Sequence, residues 1–284
     1  MGDLQQDTEV ELVGEDPDGS RRFSAKLSPE WEIWGPMGGY VASVALRAAA
    51  GSSPFARPAS FFCQYLGVAA FDAVDIAVTP LRVAKTALAQ RVQVRQGDRD
   101  ILEATVWSVG EVDGLAHDVT EPTRPPVPSP NECADLTELL SEEDLASGPP
   151  FPFWRNLDLR PIDWTADRSA VGDPVWREWL RFAPTPIFAD PWVDACRSLI
   201  LIDLQSWPSA SRAHTRGHAF IAPSLDLYVA FHDPRPDGEW LLADGFAPIA
   251  RDGLMAWNGR LWSEDGALVA SGAGQMLCRR VRQA

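Results

Sequence analysis

The chain is short of basic residues, tyrosine, histidine and cysteine, and each shortage removes a class of function. Lys and Arg number 25 against 40 Asp and Glu, a formal net charge of −15. A nucleic-acid binder needs clustered cations against phosphate, and no run of three basic residues occurs, so nucleic acid is not an expected partner. The four cysteines, Cys63, Cys133, Cys196 and Cys278, form no C-x-x-C pair, and the four histidines are scattered. Neither spacing suits a metal centre, and no metal or cofactor is expected. No apolar run approaches the ~18 residues that mark a membrane-spanning helix, so no membrane insertion is expected. The opening MGDLQQDTEV has neither the basic nor the apolar region of a secretory signal. Gln6 stands where myristoylation calls for Ser or Thr. These features together predict a cytoplasmic protein with reduced thiols.

What is present suits a large core. The 284 residues are 45% hydrophobic, enough for one large domain or two of ordinary size. Twelve Trp and twelve Phe against three Tyr give an apolar-aromatic bias. Most of these rings are expected to pack the core, and a minority to line an apolar ligand pocket.

Seven prolines between Pro122 and Pro150 exclude a continuous helix or a central strand there. Residues 118–150 therefore read as a crossover linker between an N-terminal half, 1–117, and a C-terminal half, 151–284. Inside it, CADLTELLSEEDLA predicts one short acidic helix. The halves share a layout, which marks an internal repeat. Each opens on strand-like sequence, continues into one dominant helix, GGYVASVALRAAAG at 38–51 and DPWVDACRSLILIDL at 190–204, and ends in several strands. Gly97-Asp98 and Asp265-Gly266 are hairpin turn signals. The first helix is apolar nearly all round, as a buried helix is. Asp190 and Pro191 give the second a cap and a pre-organised first position. One buried helix per half, followed by antiparallel strands, predicts an α+β fold with a sheet wrapped around each helix.

The most apolar run, Ser198–Asp203, closes on a carboxylate. At 100° per residue Asp203 shares a stripe with Ile200, Leu199, Cys196, Ala195 and Trp192, while Asp194 and Arg197 fall off it and can pair. Burial and a helix C-terminus would both raise the Asp203 pKa and make it a better base. On the residues alone, a solvent-facing turn residue bonded to QSWPS is the simpler account. The matching place in the first half reads RAAAGSS and has no carboxylate. Ser224 alone reads as a turn hydroxyl after Pro223. Strand alternation groups it with Asp226 and Tyr228, away from Leu225, Leu227 and Val229, unless the strand bends at its start.

Five blocks carry a resemblance: GPMGGYVASVAL (35–46), PASFFCQYL (58–66), SLILIDLQSWPS (198–209), PSLDLYVAFHDP (223–234) and GALVASGAGQ (266–275). In this order, with the duplicated layout, the chain resembles the double hot-dog thioesterases of the acyl-CoA thioesterase II type. The resemblance implies two antiparallel sheets, continuous with each other, each cradling a long helix. It implies metal-independent hydrolysis of an acyl-CoA to free acid and CoA, in fatty acid metabolism, with CoA entering only as part of the substrate. It implies a site of Asp203, Ser224 and Gln275 in the C-terminal half, with the first half as scaffold and acyl pocket. Gln275 comes one residue late, counted from Val269-Ala270-Ser271, so a bulge at Gly272 or Gly274 is expected to restore its register. Gly38 and Gly39 would admit the substrate closely and offer a backbone N–H to an oxyanion. Arg47, Arg82 and Arg91 are candidates for the CoA phosphates, and exposed sheet edges suit a homo-oligomer.

Two other readings compete. A hydratase or dehydratase of enoyl or hydroxyacyl thioesters would want a histidine beside the carboxylate, but none of His117, His214, His218 and His232 opens a helix next to one. A non-catalytic acyl-thioester binding module would keep the pocket and do without Asp203.

Overall fold

The computed structural model describes residues 1–117, 124–162, 164–165, 167, 170–214 and 220–280. In the first half, α1 (Leu4–Asp7) precedes β1 (Glu11–Glu15), β2 (Arg21–Lys26), α2 (Gly38–Ser52), β3 (Arg57–Tyr65), β4 (Ala73–Val83), β5 (Ala87–Gln96) and β6 (Arg99–Val109). The Pro-rich segment carries α3 (Leu136–Leu139) and α4 (Glu142–Ser147). The second half follows with β7 (Leu157–Pro161), β8 (Val175–Phe182), α5 (Pro191–Leu204), α6 (Ser206–Ser211), β9 (Phe220–Ile221), β10 (Asp226–Phe231), β11 (Trp240–Arg251), β12 (Leu254–Ser263), β13 (Leu268–Leu277) and β14 (Arg279–Arg280).

Twelve strands make one sheet in the order β1-β2-β4-β5-β6-β3-β10-β13-β12-β11-β8-β7. The halves meet at β3 and β10, antiparallel from Asp226 opposite Gln64 to Ala230 opposite Ser60. The two sheets are thus continuous, as expected of the α+β fold. Period-two alternation sets the inner face: Phe61 and Cys63 of β3 are buried while Phe62 and Gln64 are exposed. The predicted turns hold their geometry, with Gly97 at φ +59° and Gly266 at φ +93°, where a side chain would be strained.

The sheet curves around α2 and α5, which run antiparallel against each other. Gly39 near the start of α2 packs on the end of α5: a Cβ there would lie 2.7 Å from the Ile200 Cα. Midway, the Ser43 hydroxyl donates to the Cys196 carbonyl at 3.3 Å, and at the far end Arg47 pairs with Asp190 at 2.8 Å. Every residue of α5 from Trp192 to Leu204 is buried. Even Asp194 and Arg197, which the wheel places off the apolar stripe, pair inside the protein. The guanidinium also donates to the carbonyls of Pro186, Arg235 and Gly238. A buried ion pair is tolerable only when its remaining donors are satisfied in this way.

In the Pro-rich segment, residues 118–123 lie outside the described residues. The single acidic helix expected there is instead two short ones. Leu140 is extended (ψ 151°), and the Ser141 side chain caps a fresh start by accepting from the Asp144 N–H. Val127 and Cys133 pack against a second apolar cluster of Trp179, Trp240, Leu242 and Trp262, and the Trp179 indole donates to the Pro128 carbonyl at 2.9 Å.

Candidate active site

Asp203 stands in the last turn of α5, 6% exposed. Its place follows from the sequence: the apolar run before it holds the helix in the core, so the stripe cannot turn to solvent. Ser206 and Gln205 bond to its main-chain carbonyl, not to its side chain. The carboxylate has two donors instead. The Ser224 hydroxyl donates to Oδ1 at 2.9 Å, and the Gly39 N–H donates to Oδ2 at 2.8 Å. Burial pushes the Asp203 pKa up to about 6, and the two hydrogen bonds pull the other way without cancelling it. The second donor is the opening turn of α2, whose unpaired N–H groups and positive dipole end suit an anion. This helix start therefore holds the protein's own carboxylate.

A cavity of about 290 Å³ opens on this carboxylate. Its walls are largely apolar, with Ile33, Trp34, Val41, Ile101, Trp154 and Trp207 among the lining residues. A larger space of about 630 Å³ lies beyond Trp207, lined by His214, Phe220 and Leu254 among others, and contains none of the Asp203 contacts. The smaller cavity is the candidate active site, because the buried, hydrogen-bonded Asp203 carboxylate faces it.

Ser224 reaches Asp203 because β10 begins only at Asp226. The preceding residues bend, with Ser224 bridging Met276 and Leu225 accepting from the Tyr65 N–H, which frees the hydroxyl from the strand's alternation. Gly38 lines the cavity, and a Cβ there would lie 2.8 Å from Asp203 Oδ2. Gly39 departs from its expected role. Its N–H is committed to Asp203, so it is not open to an oxyanion, and its missing side chain serves the contact with α5.

Gln275 is not brought to the site. β13 pairs with β12 in unbroken register from Leu254 opposite Leu277 to Leu261 opposite Ala270, so neither Gly272 nor Gly274 carries the expected bulge. Gln275 stays on the exposed face, and buried Met276 takes the inner position. The inner position before it is Gly274, where a Cβ would meet the Asp226 carbonyl at 2.5 Å and the Trp257 ring at 3.0 Å, leaving no space for a side chain.

The three candidate phosphate arginines are also elsewhere. Arg47 is tied to Asp190 at the opposite end of the helix pair, Arg91 to Glu103 on the sheet, and Arg82 sits at an irregularity of β4. None lines the cavity. No histidine lines it among the described residues, with His232 bonded to Ser271 and His218 outside them. Also among the described residues, no three His, Cys, Asp or Glu side chains converge as a metal site would need, and no helix is long and apolar enough to cross a membrane.

The structure adds two residues. Tyr65, at the end of β3, lines the cavity with its hydroxyl shielded from solvent. Its signal was the inner-face parity of Phe61, Cys63 and Tyr65. Exposed Arg99 does not line the cavity itself, but its guanidinium donates to the carbonyl of cavity-lining Val68 at 2.6 Å. Thus the site draws on both halves: Asp203 and Ser224 come from the second, and Gly38, Gly39 and Tyr65 from the first.

The sequence matches the family described as acyl-CoA thioesterase C-terminal domain over residues 130–277 and that described as acyl-CoA thioesterase N-terminal domain over residues 27–109. No curated protein sequence matches the chain. Among solved structures, a protein described as a thioesterase II from Thermobifida fusca superposes with TM-score 0.79 at 20% identity, covering 99% of this chain and 98% of that one. The acyl-CoA thioesterase II TesB2 from Mycobacterium marinum gives 0.76 at 20%, covering 98% and 99%. The dehydratase domain of PpsC from Mycobacterium tuberculosis gives 0.59 at 14%, covering 96% and 98%. At these identities the structural likeness shows a shared hot-dog fold.

Proposed function

Because the chain belongs to the acyl-CoA thioesterase family of thioester hydrolases, we propose that the Asp203 cavity hydrolyses an acyl-CoA to a carboxylic acid and CoA, with Asp203 activating the attacking water. The observation that carries this reading is the Asp203 carboxylate itself: buried, held by Ser224 and Gly39, and facing an apolar cavity.

In this mechanism the acyl chain lies along Ile33, Val41, Ile101 and Trp154. Water enters beside Asp203 and gives up a proton to the carboxylate as its oxygen bonds to the thioester carbon. The carbon–sulfur bond then breaks, and the CoA sulfur takes the proton back from Asp203. A thiolate is a good leaving group, so base catalysis and oxyanion stabilisation are the demanding parts. Ser224 and Gly39 fix the carboxylate in one orientation, leaving lone pairs for the water. The scheme uses no metal and suits a cytoplasmic enzyme of fatty acid metabolism.

The test is release of CoA thiol from acyl-CoAs of increasing chain length, by wild type and by Asp203→Asn. General-base loss should lower kcat by roughly 10²–10⁴-fold with the fold retained. A folded Asp203→Asn protein hydrolysing at the wild-type rate would remove the mechanism. Hydration of an enoyl thioester without thiol release would favour the dehydratase reading, and binding without turnover the binding module.

A further inference from the structure

The Tyr65 hydroxyl is shielded from solvent, yet no oxygen or nitrogen accepts its proton among the described residues. The buried Cys63 thiol, a weak acceptor, lies beside it. A buried donor without an acceptor costs stability, on the order of 1–3 kcal/mol, and calls for an explanation. The phenol and the Asp203 carboxylate both close on Gly38. The Cβ position that Gly38 leaves vacant is 2.8 Å from Asp203 Oδ2 and 3.1 Å from the Tyr65 hydroxyl oxygen. The carboxylate and the phenol thus flank one small space, and both line the same cavity.

We propose that Tyr65 is an oxyanion donor of this site: its O–H binds the thioester carbonyl oxygen while Asp203 handles the water. This rests on the thioesterase reading above and adds the group that reading lacked. As water attacks, the carbonyl π electrons move onto oxygen, and Tyr65 donates a hydrogen bond to it while keeping its own proton. When the carbonyl re-forms, those electrons return and the carbon–sulfur bond breaks, so the phenol is unchanged over the cycle. Burial, reinforced by the negative charge of Asp203, holds the Tyr65 pKa well above its ordinary value, so the hydroxyl stays a donor throughout. A second donor is at hand in the Gly38 N–H, which opens α2 and has no acceptor within the helix. Tyr65 also stands where the inner face is otherwise closed to a polar side chain, since Gly274 has room for none and Gln275 faces outward.

The test removes one atom, with Tyr65→Phe. Loss of one oxyanion donor should lower kcat by about 10²–10³-fold. KM should change by less than a few-fold, and the acid limb of the pH profile, set by Asp203, should stay in place. A loss of kcat accompanied by a displaced acid limb would make Tyr65 a positioning residue for Asp203 and overturn the donor role. Thiol release within twofold of wild type would also overturn it, and with Asp203→Asn inactive in the same assay only the Tyr65 assignment falls. A second readout does not need turnover. The carbonyl stretch of octanoyl-CoA bound to Asp203→Asn should shift to lower frequency, and the shift should vanish in Asp203→Asn/Tyr65→Phe. An unshifted carbonyl in Asp203→Asn would argue against the donor. If the wild type neither hydrolyses nor binds acyl-CoA, the parent reading fails and the proposal falls with it.

Discussion

The antiparallel helices α2 and α5 present two ends that the repeat makes comparable, and the two ends are built for different purposes. At one, the start of α2 meets the end of α5, and the meeting encloses Asp203, Tyr65 and a cavity of about 290 Å³. At the other, the start of α5 meets the end of α2, and a space of about 20 Å³ lies beside it between Arg57, Pro58, Pro191 and Phe231. That end is closed by the Arg47–Asp190 ion pair and by the Trp192 indole bonding to the Phe55 carbonyl. The repeat makes the two ends comparable, and the Asp203 end keeps the larger space, beside a buried acid held by hydrogen bonds to Ser224 and Gly39. What sets Asp203 apart is its partners: at the closed end Asp190 pairs with Arg47 and buried Asp194 with Arg197, whereas Asp203 is held by a hydroxyl and a backbone N–H.

The comparison breaks most sharply at the neighbouring glycines. Gly38→Ala puts a methyl against two side-chain ends that can move, so the protein should fold but lose about 10²-fold or more in kcat as the site is displaced. Gly39→Ala puts the methyl against the α5 backbone, which cannot move, and should destabilise by ~1–3 kcal/mol of overpacking in denaturant unfolding. Equal effects of the two on stability would erase the distinction between site and seam.

The acid end should also declare itself in the pH dependence of stability. Folding raises the Asp203 pKa from 3.8 to about 6, so between those values the native state binds more protons than the unfolded chain. Stability then falls as pH rises through that window, by about 3 kcal/mol for this group. Asp203→Asn should be more stable than wild type above pH 6, with the gain fading toward pH 4. Glu178, buried and raised to about 7 mainly by burial, adds a loss of the same sign between 4.5 and 7, which Glu178→Gln should relieve. Midpoints of thermal unfolding across this range measure both. Wild-type kcat should rise through pH 6 as Asp203 ionises.

Smaller effects sharpen the contrast. At the closed end, Arg47→Met should cost ~0.2–1 kcal/mol and leave kcat alone, since this ion pair is partly exposed. At the open end, Arg99→Ala should raise KM a few-fold with little change in kcat, and added salt should reduce the difference, as for a cation meeting CoA phosphates near the cavity.

The residues that were legible in the sequence were those fixed by local periodicity. The wheel put Asp203 on a buried stripe, and glycine-containing turns marked the hairpins. What the sequence hid was settled across elements. Arg47 looked free because its partner is 143 residues away. Gln275 depended on a bulge, and a regular ladder left it facing out. Tyr65 had an inner-face parity that could be read, but the missing acceptor is a property of the folded neighbourhood.

The joint between β3 and β10 has a further meaning for how this protein can change. Asp203 and its hydroxyl partner Ser224 come from one half, while most of the cavity wall and the Tyr65 phenol come from the other. Replacements at Ile33, Trp34, Val68 or Ile101 can therefore reshape which acyl groups are accepted without touching the hydrogen bond from Ser224. Yet Gly39 and Tyr65 of the first half hold and flank Asp203, so the apolar wall can drift while the positions at the carboxylate must stay matched across the seam.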